Sequence, residues 1–225
     1  EPHGDGWVPG KFVTASDLGE DAAGTPRADF KPVLLDSDGS PVVPNGTLGH
    51  RFTPEDEGDW NLDLGAVVPP LSIADLPTWA GEASEVRLPR FDVLPEAGDE
   101  HTGGSGVVTR GVPTAQVAGR TVTTVFDLLL AQYGVAREGL PGTWPTGYDD
   151  PSTPGTPAWQ EEITSVPAAQ ATRIAREFAD NADRSGGRSM IIMGAGTNHW
   201  FHSDTIYRAF LALTTLTGCQ GVNGG

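Results

Sequence analysis

The chain has 225 residues, 37% of them hydrophobic, and a net charge of −16, a size that suits one large domain or two small ones. The acidic balance argues against nucleic acid or an anionic membrane surface as partner. The single cysteine, Cys219, excludes a disulfide framework and any iron–sulfur or structural zinc site closed by this chain alone.

No apolar run reaches membrane-spanning length. The start, Glu1-Pro-His-Gly-Asp-Gly6, has neither the basic nor the apolar part of a signal peptide. With 30 Gly and 19 Pro, about twice average usage, much of the chain is expected to be loop. Residues 1–110 carry 20 acidic and 7 basic side chains, against 10 and 7 in residues 111–225. The first half is therefore expected to be the solvated, irregular part and the second half the packed part.

In chain order, the first clear element is the stretch Val33 to Gly46. Two apolar runs flank Asp38-Gly39, which reads as a short hairpin, and a second turn follows at Asn45-Gly46. Asn45-Gly-Thr47 also matches a glycosylation acceptor, a pattern expected to carry little meaning where no secretory signal is read. Glu55 to Asp63 is an acidic turn leading to Trp60 and Leu62. From there to residue 105, prolines such as Pro69 and Pro70 argue against central strands, so edge strands and irregular chain are expected.

Thr124 reads as the N-cap of a helix with Val125, Leu128, Leu129, Gln132 and Tyr133 on one face and Gly134 as its stop. A Pro/Gly-rich link runs from Leu140 to Thr156. Thr156-Pro157 opens a helix, and Pro167 opens another through Asp180, with Ala171, Ile174, Ala175 and Phe178 as its apolar stripe. Met190-Ile-Ile-Met193 reads as a strand covered on both faces. Ser203 caps a third helix whose face includes Ile206, Tyr207, Phe210, Leu211, Leu213 and Leu216, ending at Gly218. Helix, strand, glycine loop and helix in that order describe a βα unit. The expected fold is α/β: residues 1–120 an irregular β- and loop-rich segment, residues 121–225 a Rossmann-like α/β part.

Gly194-Ala195-Gly196 follows that strand and precedes a helix, where an α/β sheet offers backbone N–H groups to phosphate. The third glycine of a dinucleotide fingerprint is replaced by His199, so the segment reads either as a phosphate cradle or as a tight turn. Asn198 suits a purine or pterin edge. His199 fits a cofactor contact or a satisfied loop histidine. His199 and His202 lack a third ligand nearby. Gly221 to Gly225 reads as a frayed tail or a second cofactor loop, Cys219 as a packed thiol, and Arg188 as the partner of a surface acid.

The stretches Pro157-Ala-Trp-Gln-Glu-Glu-Ile163, Ile174 to Asp183 and Gly187 to Trp200 resemble the molybdopterin oxidoreductase superfamily, and more narrowly the alpha subunit of respiratory nitrate reductase. Thr121 to Leu128, Gly58 to Leu62, Val43 to Gly49 and Gly218 to Gly225 are similar to the same subunit. The loop Gly194-Ala-Gly-Thr-Asn-His-Trp200 carries the narrower likeness.

The resemblance implies nitrate reduction at a molybdenum bis(molybdopterin guanine dinucleotide) centre. It also implies a 4Fe-4S cluster in the parent subunit though not in this segment, a beta iron–sulfur subunit, a membrane gamma subunit, and a peripheral place on the cytoplasmic side of the membrane. By that likeness Gly194, Ala195, Gly196, Asn198, His199, Trp200, Gly221, Asn223, Gly224 and Gly225 contact the cofactor. The family's cluster cysteines and molybdenum-ligating aspartate find no match here. The chain is thus expected to be an internal piece that packs on the rest of the alpha subunit, binds no metal and is inactive alone. The alternatives are a perchlorate- or selenate-type member of the superfamily, or a non-catalytic nucleotide-binding module.

Overall fold

A computed structural model describes residues 1–25, 27–44, 64–90 and 106–225. The turns expected at Asn45-Gly46 and at Glu55 to Asp63, and the acceptor Asn45, lie outside the described residues. The chain divides into two compact units. The first is Glu1–Gly147 with Ser152–Thr156, and the second is Tyr148–Pro151 with Pro157–Gly225. These units divide the chain later than residue 120.

In the first unit, β1 (Pro2–His3), β2 (Gly6–Trp7), β5 (Ala83–Pro89) and β6 (Val107–Pro113) form a sheet in the order β1-β2-β5-β6. β5 and β6 are antiparallel from Ala83↔Pro113 to Pro89↔Val107, and β2 joins β5 in parallel at Trp7↔Val86. The expectation of no central strand before residue 105 is corrected here, because β5 has a neighbour on each side. Its one proline, Pro89, is the last residue of the strand, so the interior loses no ladder donor. Val86 and Leu88 point to the core while Glu85 and Arg87 point away, the period-2 alternation of a strand with one buried face.

Helix α1 (Val125–Gln132) packs on β6, and Val86, Leu88, Val108, Val112 and Ala131 form the core, with Trp7, Leu128 and Trp144 against it. Thr124 caps α1 as expected, its Oγ1 accepting from the Asp127 amide at 3.0 Å. The inward face is corrected: Asp127 and Ala131 are buried, whereas Val125 and Tyr133 are exposed. Hydrophobicity chose Val125, but Asp127 has buried partners that only the fold supplies. The segment after α1 closes on β6 where two glycines remove side chains. A Cβ on Gly142 would lie 2.7 Å from Arg110 Cα, and one on Gly111 2.7 Å from the Pro141 carbonyl oxygen.

Two small hairpins complete this unit. β3 (Leu34–Leu35) and β4 (Pro41–Val42) flank Asp38-Gly39 as expected. β7 (Ala115–Val117) and β8 (Arg120–Val122) are joined by Ala118 and Gly119, at φ 49° and 73°, the positive pair that suits the right-handed twist of a two-residue hairpin.

The second unit contains α2 (Pro157–Thr164), α3 (Ala168–Ser185), the single turn α4 (Ala195–Asn198) and α5 (Ser203–Leu216). The helices start near the expected prolines and Ser203. α3 runs past Asp180 to Ser185 and ends on Gly186 at φ 68°, a left-handed C-terminal residue.

Two expectations fail in this unit. Met190–Met193 forms no strand, and Ile192 is 89% exposed. The stripes of α3 and α5 are largely uncovered: Ile174, Leu211 and Leu216 are exposed and no residue of α5 is buried. A strand needs neighbours to satisfy its N–H and C=O groups, and this unit holds no other strand. The mixed α/β class stands; a Rossmann-like βα unit is not formed among the described residues.

Candidate functional site

The glycine loops lie at opposite ends of α5. The first begins where Asn181 and Ser189 fasten the chain to α3. Asn181 Nδ2 donates to Ser189 Oγ at 2.8 Å, and Ser189 Oγ donates to the Phe178 carbonyl at 2.9 Å. The chain then runs through Met190–Met193 to Gly194, which precedes α4 in an extended conformation. The Gly194 carbonyl accepts from Thr197 at 2.9 Å and from Asn198 at 3.4 Å, and that of Ala195 accepts from His199 at 3.3 Å. The N–H groups of Ala195 and Gly196 have no partner among the described residues. Nothing approaches a Cβ built on Gly194 or Gly196, so the backbone here is open to a ligand. His199 is exposed and Trp200 is 69% exposed. His202 instead meets Phe201 edge-on, ring centroids 4.8 Å apart.

The second loop turns back at the far end of α5. Gly221 and Gly224 have φ of 82° and 87°. Val222 donates to the Cys219 carbonyl and Gly225 to that of Val222, which leaves the Gly221, Asn223 and Gly224 N–H groups without partners among the described residues. This coil seats against Gly187, where a Cβ would collide with the Gly218 carbonyl oxygen. Cys219 is fully buried with Thr217 Oγ1 3.3 Å from its sulfur, as a packed thiol should be. Arg188 makes no ion pair among the described residues.

Gly194, Ala195, Gly196, Asn198, His199 and Trp200 are thus brought together, and Gly221, Asn223, Gly224 and Gly225 form a second group. The 14 residues of α5 separate the groups by about 20 Å at 1.5 Å per residue. The open N–H groups suit anionic oxygens, so the donor set of each loop fits the pyrophosphate of a dinucleotide. Among the described residues no three His, Cys, Asp or Glu side chains converge as a metal site.

Two buried polar centres in the first unit escaped the sequence reading. Asp127, fully buried, accepts from Ser72 Oγ at 2.6 Å, the Ile73 amide at 2.9 Å, Thr124 Oγ1 at 2.8 Å and Arg137 Nη1 at 2.6 Å. Arg110, 0% exposed, donates to the carbonyls of Thr143, Ala131, Gln132 and Pro154 at 2.7–3.0 Å. Burial lowers its pKa from the ordinary arginine value. Arg110 shares its strand face with Val108 and Val112, so period-2 alternation would have flagged it. Asp127 ties the flanking segments to α1, and Arg110 ties the end of α1 and two loop carbonyls to β6, every donor bond ending on backbone.

No family model matches the chain. Individual proteins do. The chain is 55% identical over its whole length to the nitrate reductase alpha subunit of Mycobacterium tuberculosis (strain ATCC 25618 / H37Rv), spanning 18% of that protein. It is 40% identical over 97% of its length to the nitrate reductase alpha chain of Bacillus subtilis (strain 168), spanning 17% of it. It is 38% identical over 97% of its length to the respiratory nitrate reductase 1 alpha chain of Escherichia coli (strain K12), spanning 18% of it. These relatives are oxidoreductase subunits by name. The chain belongs to the nitrate reductase alpha-subunit family.

Proposed function

We propose that this chain is part of a catalytic alpha subunit that reduces nitrate to nitrite, and that its role there is to hold the guanine dinucleotide arms of a molybdenum bis(molybdopterin guanine dinucleotide) centre. The observation that carries the reading is 55% identity, over the whole length of the chain, to a nitrate reductase alpha subunit. Because the chain spans about a fifth of such relatives, the activity belongs to a polypeptide of their length. The bound centre supplies the oxygen-atom and electron transfer chemistry.

The chain's own residues bind and orient. Ala195 and Gly196 N–H groups at one loop, and Gly221, Asn223 and Gly224 N–H groups at the other, donate to pyrophosphate oxygens. Asn198 pairs with a ring edge, His199 donates to a pterin, and Trp200 borders the same ligand. The spacing of the loops suits an elongated ligand or two ligands, one per loop. A 4Fe-4S cluster, the beta iron–sulfur subunit and the membrane gamma subunit complete the assembly, which sits on the cytoplasmic side of the membrane. No helix among the described residues is long and apolar enough to cross a membrane, which is compatible with a peripheral position.

The test is molybdenum and released guanine nucleotide on the native protein that contains this segment. About one molybdenum with two guanine nucleotides per polypeptide supports the reading. Nucleotide without molybdenum favours a non-catalytic nucleotide-binding module instead. His199→Ala in the full subunit should lower turnover while subunit assembly persists; unchanged turnover would remove His199 from the cofactor contacts.

A further inference from the structure

The first unit carries a groove of about 560 Å³ between the segment Trp7–Val13 and the segment Gly119–Val125. Its walls include Trp7, Val86, Val112 and Leu128, so its floor is the outer margin of the core. At its rim Phe12 is 68% exposed and Val125 is 59% exposed. The Thr123 hydroxyl, which also lines the groove, is buried without a partner among the described residues. Neither Phe12 nor Thr123 makes a backbone hydrogen bond among the described residues. Beside Thr123, β8 pairs only with β7 among the described strands and is an edge there. Of the two cations that line the groove, Arg120 lies 2.7 Å from Asp17 and Lys11 is exposed.

We infer that this groove receives an extended, apolar segment of the same alpha polypeptide from outside residues 1–225. Apolar walls call for apolar side chains. Unpaired backbone on both lips and an open strand edge call for a peptide, which adds main-chain hydrogen bonds that a compact small molecule lacks. The Thr123 hydroxyl then finds a carbonyl, removing the cost of a buried unsatisfied group. The occupant comes from the same polypeptide because about four-fifths of a chain of the relatives' length lies outside this stretch. The inference rests on family membership and not on the glycine loops, which belong to the other unit.

The experiment is photo-crosslinking in the intact full-length complex, with p-benzoylphenylalanine replacing Phe12 in one sample and Val125 in a second. The Phe12 replacement keeps an aromatic ring, and the Val125 sample serves if the first fails to assemble. Peptide mass spectrometry should find both probes attached to one shared stretch of the alpha polypeptide outside residues 1–225. Adducts confined to residues 1–225, adducts on another subunit or a second copy, or no protein adduct from either probe would overturn the inference. The metal and nucleotide assay above reads the glycine loops separately, so failure of one leaves the other standing.

Discussion

Arg137 Nη1 lies 2.6 Å from Asp127 Oδ1, an ion pair whose carboxylate is fully buried and whose guanidinium is only 21% exposed. The pair joins the chain after α1 to the helix itself, and Asp127 also takes the Ser72 hydroxyl and the Ile73 amide. One side chain therefore gathers three segments. Breaking such a pair leaves an uncompensated charge at a cost of about 3 kcal/mol or more. Asp127→Ala is expected to speed amide exchange at Ile73 about a hundredfold, at roughly 1.4 kcal/mol per tenfold. Unaltered exchange at Ile73 would show that the pair is not what holds this segment.

Arg110 makes its four bonds to backbone carbonyls, and its guanidinium lies 5.6 Å from the centre of the Trp144 ring. Lysine keeps the charge but has neither the planar fork nor enough reach for four acceptors. Arg110→Lys should therefore cost about 2–4 kcal/mol, as hydrogen bonds to charged groups are worth ~1.5–3 kcal/mol each. Faster exchange at Gly111 and Thr143, whose amides bond Pro141 and Thr109, is the expected readout. Equal protection in the variant would contradict it.

Asp36 accepts from the Val68 amide at 3.0 Å and the Ser37 amide at 2.6 Å. The Val68 bond, then the Ser37 bond, hold its carboxyl below the ordinary aspartate value. A carboxylate with a lowered folded pKa contributes stability that is present above its unfolded value, about 4, and is lost as pH falls through the folded value. Protection of the Val68 amide should be flat above that pH and fall below it. Asp36→Asn should abolish the dependence; a persistent slope would assign it to another group.

Ala118 holds φ 49° in the β7–β8 turn, a left-handed conformation that costs a residue with a Cβ about 1 kcal/mol. Ala118→Gly removes that strain, offset in part by the greater freedom of glycine when unfolded. Slower exchange of the Val117 and Arg120 amides, the hydrogen-bonded pair that flanks the turn, by a few-fold is expected, and faster exchange would mean that unfolded-state entropy dominates.

Met190–Met193 makes no backbone hydrogen bond among the described residues, yet its apolar run is that of a covered strand. In a polypeptide of the relatives' length these residues should pair with strands from outside this stretch and exchange slowly. Rapid exchange of Ile191 and Ile192 in the full-length protein would make the segment a loop and remove the βα unit.

The local features were legible because they depend on neighbours in sequence. Thr124 as a cap, Pro157 near a helix start, the turn at Asp38-Gly39 and the glycine after Tyr133 all follow from φ preferences and short hydrogen bonds. The likeness around Gly194 to Trp200 pointed to the family now shown by identity over the whole chain. Only the tertiary structure decided that β5 is central, since its partners are β2, about 80 residues before it, and β6 beyond Gly106. It also decided that α1 turns Asp127 inward, because the stabilising partners Ser72, Ile73 and Arg137 are distant in sequence. Propensity and capping act within a turn or two of helix. Pairing, burial and the meeting of distant polar groups are properties of the folded chain, and they alone determine which side of an element is inside.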